Sequence, residues 1–132
     1  MPVPREAMRL EGDPEHPRLV TNKTLIDKTR RMLDFCWSKV LELEHEDLCG
    51  FIFKKDSPSS GLFRVKIYNA GMPVRSDSGL FASAVAKHFP LLPFEEEGRL
   101  NDAGIRENFI ERIFCYHRWK DFLRDRAELG AW

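Results

Sequence analysis

The sequence predicts a mixed α/β fold, and three patterns predict it. Two short apolar runs, around 48–53 and 63–67, lie between turn-forming residues and have the length of strands. Three longer stretches, starting near Thr21, Leu80 and Ile105, place apolar side chains at the three- and four-residue steps of a helix packed on one side. The 132 residues are 42% hydrophobic and 11% aromatic, which is material for one core and argues against a disordered chain.

Along the chain, residues 1–17 carry Pro2, Pro4, Pro14 and Pro17. Proline fixes φ and removes an amide donor, so this stretch is expected to be extended or irregular. It reads like the middle of a domain rather than its beginning. Arg18 to Val20 is expected as a short strand. From Thr21 the period becomes helical, with Leu25, Thr29, Met32, Leu33, Cys36, Trp37, Val40 and Leu41 on one face. Thr21 or Asn22 can cap the start, and Thr24 with Asp27 resembles a capping box. Acidic residues between Glu44 and Asp47 oppose the helix dipole and mark the end.

Leu48 to Lys54 is expected as a strand buried on both faces. Asp56-Ser57-Pro58-Ser59-Ser60-Gly61 is turn chemistry throughout. Phe63, Val65 and Ile67 alternate with Arg64, Lys66 and Tyr68, a strand with one buried face. Asn69 to Pro73 turns the chain, and Leu80 to His88 forms a helix of about three turns. Glu95-Glu96-Glu97 reads as a solvated connector. A long final helix carries Ile105, Phe109, Ile110, Ile113, Phe114, Trp119, Phe122 and Leu123, an apolar face in search of a partner. Three strands and three helices are thin for a doubly wound sheet. Both ends are therefore expected to be cut.

Composition excludes several classes. Basic and acidic residues balance at 21 each, so no overall field draws in nucleic acid or an anionic membrane. No run approaches the roughly 20 apolar residues of a membrane span, and the first residues lack a signal-peptide core. Three cysteines make no disulfide framework. A soluble, cytoplasmic domain is expected.

Four constellations bear on chemistry. The 57–61 loop can hold an anion through hydroxyls and backbone amides. Around it Lys54, Lys55, Arg64, Lys66 and Arg75 face a single acid, Asp56, a local excess in a neutral chain. A phosphate-bearing partner and an ordinary turn beside a solvated basic strand both fit this pattern. Cys36, Cys49, Cys115, His45 and His117 lack zinc-ligand spacing, and no C-x-x-C exists, so no metal site is expected. Cys36 and Cys49 stand where small core residues belong, and His88 and His117 read as partly buried, hydrogen-bonded residues. No G-x-S-x-G elbow supports a serine hydrolase, and neither Gly98 nor Gly104 makes a phosphate fingerprint.

Several phrases occur together in a recognisable order. They are Pro4-Arg5-Glu6, Asp47-Leu48-Cys49-Gly50-Phe51-Ile52-Phe53-Lys54, Ser57-Pro58-Ser59-Ser60-Gly61, Arg64-Val65-Lys66-Ile67-Tyr68, Gly79-Leu80-Phe81-Ala82 and Phe89-Pro90-Leu91-Leu92-Pro93. Glu96-Glu97-Gly98-Arg99-Leu100 and Arg106-Glu107-Asn108-Phe109-Ile110-Glu111-Arg112-Ile113-Phe114 complete the series. Over residues 2–123 the chain resembles the thiouracil desulfidase (TudS) family in its longer, fused form, which includes YbgA-like proteins and the tRNA 4-thiouridine desulfidases called RudS.

The resemblance implies a Rossmann-like α/β domain over 1–100, flanked by helices, followed over 101–132 by the start of a C-terminal helical extension. It implies a [4Fe–4S] cluster on three cysteines, with an open iron that takes sulfur from a thiolated pyrimidine and leaves a carbonyl without net redox change. The first two family cysteines would precede residue 1, together with the glutamate that follows the second. The third matches Ser60, and a hydroxyl is a poor substitute for a soft thiolate. Ser57 is the remaining catalytic candidate by this resemblance, and Ser60 marks a cofactor position whose ligand is lost. Lys54, Lys55, Ser59, Gly61, Arg64, Lys66 and Arg75 are the substrate- or RNA-binding candidates.

The expected protein is a shortened, cluster-free relative, with no cofactor of its own, that does not carry out the reaction alone. A desulfidase completed by an upstream segment, a partner chain or a second copy is one rival. A tRNA-binding module is another. The ligands expected are tRNA or a thiolated pyrimidine, with no membrane.

Overall fold

Residues 8–13 and 16–21 pair as two arms of a β-hairpin, so the described part of the first stretch is extended rather than irregular. The strand expected at Arg18–Val20 lies within the second arm, while Pro2, Pro4 and Pro14 lie outside the described residues. Strand β1 (Met8–Asp13) pairs antiparallel with β2 (His16–Thr21), with Leu10 opposite Leu19 and Gly12 opposite Pro17. Pro17 is tolerated because β2 lies at the edge of its sheet, where a missing amide hydrogen breaks no ladder. Leu10 and Leu19 are completely buried. The computed structural model describes residues 6–13, 15–55, 57–58, 61, 65–69, 72–75 and 78–129.

Among these residues six strands form two sheets. The larger has the order β2-β1-β4-β5, with β4 (Lys66–Asn69) parallel to β1 and β5 (Met72–Arg75) antiparallel to β4. Val65 and Ile67 are buried, as their alternation requires, whereas Phe63 and Arg64 lie outside the described residues. Asn69, Met72 and Pro73, expected in a turn, belong to a strand pair.

The smaller sheet pairs β3 (Phe51–Phe53) in parallel with β6 (Phe94–Glu96). Two expectations are corrected here. The 48–54 segment is not buried on both faces, because a two-stranded sheet leaves Ile52 54% exposed while Phe53 enters the core. Glu95 and Glu96 are not a solvated connector: both belong to β6 and are 4% exposed. Arg99 Nε binds Glu95 Oε1 at 2.6 Å and Arg112 Nη2 lies 3.5 Å from Oε2, so the buried charge is met on both oxygens.

Helix α1 (Thr29–Leu43) begins at Thr29 rather than near Thr21. Residues 21–28 form turns in which Leu25 takes φ 55 and Ile26 N–H donates to Thr21 Oγ1 at 2.7 Å. Thr24 is no capping-box residue. Its amide and hydroxyl bind the Glu6 carboxylate at 2.7 and 2.8 Å, which holds that carboxyl below its usual range. Thr29 is buried because its hydroxyl accepts the Leu19 N–H at 2.8 Å. Of the expected helix face, Cys36 and Val40 are buried, whereas Leu33, Trp37 and Leu41 are exposed. A 3₁₀ turn (Glu44–Glu46) ends the segment.

Helix α2 (Leu80–His88) agrees with its period. It joins two cores: Leu80 packs with Leu10, Leu19, Val65 and Ile67, whereas Ala82 and Val85 pack with Val40, Phe53 and Leu92. A 3₁₀ turn (Arg99–Asn101) leads into α3 (Ala103–Leu129), which buries only Phe109. Phe114, Trp119, Phe122 and Leu123 of its apolar face are exposed. His88 is half-buried and bonded to Glu44, as expected, whereas His117 is exposed, a correction, though it too is bonded. No described helix is long and apolar enough to cross a membrane.

Candidate functional site

The 57–61 loop is fixed on the first turn of α2. Gly61 N–H donates to Ser57 O at 2.8 Å and closes the loop. Gly79 N–H then donates to Gly61 O at 2.7 Å, and Leu80 N–H donates to Pro58 O at 3.1 Å. Glycine is required at 61 by close approach. A Cβ there would strike the Val65 side chain and lie 2.7 Å from Ser57 O. The loop thus sits at the positive end of a helix, with the Gly79 and Leu80 N–H groups of that end taken up by its own carbonyls.

Beside it opens a cleft of about 340 Å³ lined by Met8, Arg9, Leu10, Asn22, Pro58, Val65, Lys66 and Tyr68. Hydrogen bonding and register assemble it. The parallel pairing of β1 with β4 sets Leu10 opposite Ile67. Arg9 is held by Asn22 Oδ1 at 3.1 Å and Glu11 Oε2 at 3.3 Å, which aims a guanidinium at the cleft wall. Apolar walls with a guanidinium, an ammonium, an amide and a phenol suit a flat polar ring with an anionic substituent.

The residues singled out from sequence fall in different places. Pro58, Val65 and Lys66 line the cleft, and Ser57 is half-buried behind Pro58 in the loop. Gly61 is buried and structural. Lys66 stands opposite Arg75 in the register of β4 and β5, although the Arg75 side chain lies outside the described residues. Lys54 is exposed and paired with Glu97 at 2.6 Å, and Lys55 is exposed near the end of β3. Ser59, Ser60 and Arg64 lie outside the described residues. Arg9 and Asn22 were not legible as site residues. Their one signal is the alternation Met8, Leu10 in β1, which the surrounding prolines obscure.

The cysteines do not converge. Cys36 is 2% exposed within α1, and burial pushes its thiol up to about 11. Cys49 lies in the turn before β3, half-buried, and Cys115 is exposed on α3. Among the described residues no three of His, Cys, Asp and Glu gather as a metal-holding group. An iron–sulfur cluster asks for several thiolates aimed at one point, and these donors do not fit it.

A family model for 2-thiouracil desulfurase matches residues 1–97, and the chain belongs to that family. The solved structure of a [4Fe-4S]-dependent thiouracil desulfidase, TudS (DUF523Vcz), superimposes with a TM-score of 0.59 at 19% identity. The match covers 82% of this chain and 67% of that one, and at such identity it speaks for a shared fold. The curated proteins contain no match. The iron–sulfur cluster is thus a property of that related protein.

Proposed function

We propose that this segment binds a thiolated pyrimidine, free or within RNA, in the cleft beside the 57–61 loop, and that it does not release sulfur by itself. The observation that carries this reading is the scatter of its three cysteines, one sealed in a core and two on other surfaces. The resemblance adds that the third family cysteine position is Ser60, while the motifs of the first two are not among these 132 residues. Arg9 and Lys66 supply cations for a phosphate, and Tyr68 a ring face for a base. Ser57 is the hydroxyl proposed to approach the substrate. Lys54, Lys55, Ser59, Arg64 and Arg75 are proposed as further contacts to RNA.

Binding of 4-thiouridine 5′-monophosphate and sulfide release from it, after anaerobic reconstitution, test the proposal together. Saturable binding without sulfide release is expected, weakened about tenfold by Arg9→Ala or Lys66→Ala, the effect of losing a charged hydrogen bond. Sulfide release that disappears in Ser57→Ala would overturn the reading.

A tRNA-binding role gains support from one observation, the register of Lys66 opposite Arg75 on adjacent strands. Affinity for tRNA that falls steeply with salt and drops in the Lys66→Ala, Arg75→Ala double variant is the expected result. Salt-insensitive binding would remove it.

A further inference from the structure

The turn leading into β3 is fastened to α3. Asp47 pairs with Lys120, and its second oxygen lies 3.8 Å from Arg124. Lys120 Nζ also donates to Leu48 O at 2.9 Å. Gly50 lets the helix come close, because a Cβ there would lie 2.9 Å from Ile113 Cγ1. Together these contacts press Cys49 against one face of α3.

On that face His117 Nδ1 lies 3.6 Å from Cys49 Sγ, and His117 Nε2 lies 3.2 Å from Asp121 Oδ2. Lys120 Nζ is 3.9 Å from the same sulfur. With Nε2–H donated to Asp121, the lone pair of the neutral imidazole is on Nδ1 and faces the thiol. A thiol, a base within reach of its proton and a carboxylate that orients the base form the arrangement of an activated nucleophile. Cys49 is half-buried, whereas Cys115, on the same helix as the base, is exposed.

We propose that Cys49 is a nucleophilic thiol that forms a mixed disulfide with low-molecular-weight disulfides, with His117 as its base. The Cys49 proton passes to His117 Nδ1 as the sulfur attacks one sulfur of the disulfide. One S–S bond forms, the original one breaks, and the departing thiolate takes the proton from His117. A thiol and a disulfide become a mixed disulfide and a thiol, with no net gain or loss of electrons. No residue of this site lines the cleft, so the proposal stands apart from the pyrimidine-binding reading.

The test treats the full chain with glutathione disulfide and maps modified cysteines over time by peptide mass spectrometry. Cys49 is expected to react at least about tenfold faster than the more exposed Cys115, a modest share of what a positioned base can contribute. His117→Gln is expected to remove that lead and leave the Cys115 rate unchanged, with Cys36 unmodified as the report that the fold is kept. A lead below about tenfold in the wild-type chain overturns the proposal whatever the variant does, and so does a lead that survives His117→Gln.

Discussion

Asp47 takes a left-handed backbone conformation, φ 50, and its carboxylate is bound by Lys120 from α3. Aspartate is one of the few non-glycine residues that enter this region readily, and the contacts to α3 hold it there. Lys120 grips both ends of the turn by also binding Leu48 O. Since α3 buries only Phe109, this polar fastening and the Gly50 approach do much to hold the helix against the sheet.

Replacing Lys120 by methionine should therefore loosen the second half of α3. Hydrogen exchange over 114–129 is expected to speed up in Lys120→Met while β1 and β4 keep their protection. Uniform protection along the whole chain would show that the fastening is unimportant.

The same pair sets an acid dependence. The Lys120 hydrogen bond, and then its charge, lower the Asp47 pKa from an ordinary 3.8. A depressed carboxylate contributes stability that is complete above about 3.8 and lost as pH falls through the lower folded value. Denaturant midpoints of wild type and Asp47→Asn should differ most near neutrality and converge below that range.

Cys36 predicts an opposite, alkaline limb. Its thiol rises from 9.0 to about 11 because burial disfavours the thiolate. The contribution of the protonated thiol is complete below about 9 and is lost as pH rises toward about 11. The chain should weaken across that window, and Cys36→Ala, although less stable at neutral pH, should be less sensitive to pH there.

Gly61→Ala should cost about 1–3 kcal/mol by overpacking against Val65 and Ser57. A thermal melt reads it, and loss of ligand binding should accompany it because the loop can no longer close on α2. A variant as stable as the wild-type chain would mean that the loop is not closed as described.

Glu95 yields a further test. Arg99→Met with Arg112→Met leaves a carboxylate 5% exposed without these two cations. The double variant should lose about 2–4 kcal/mol, somewhat less than a fully buried pair because both arginines are part-exposed. Adding Glu95→Met should restore most of the loss in chemical denaturation.

These elements also show what could be read from the chain alone. The period of α2, the length of α3 and the alternation of Val65 with Ile67 were legible because local apolar spacing and tertiary burial agree there. The β1–β2 hairpin was hidden because proline counts against a strand, and Pro17 is accommodated only because β2 lies at a sheet edge. Glu95 was hidden because its burial depends on two arginines, both of them on other elements. The helix start near Thr21 was misplaced because Thr24 spends its hydrogen bonds on Glu6 rather than on a cap. The 57–61 loop could be found from turn chemistry, whereas Arg9 and Asn22 join it only through strand pairing. Cys49 and His117, 68 residues apart, meet only once α3 docks.

This chain keeps the family fold, and its three cysteines do not gather as the thiolates of a cluster. Iron and acid-labile sulfide per folded chain, measured after anaerobic reconstitution, test it most directly. Values near zero are expected, and about four of each per chain would mean that the chain holds a cluster after all.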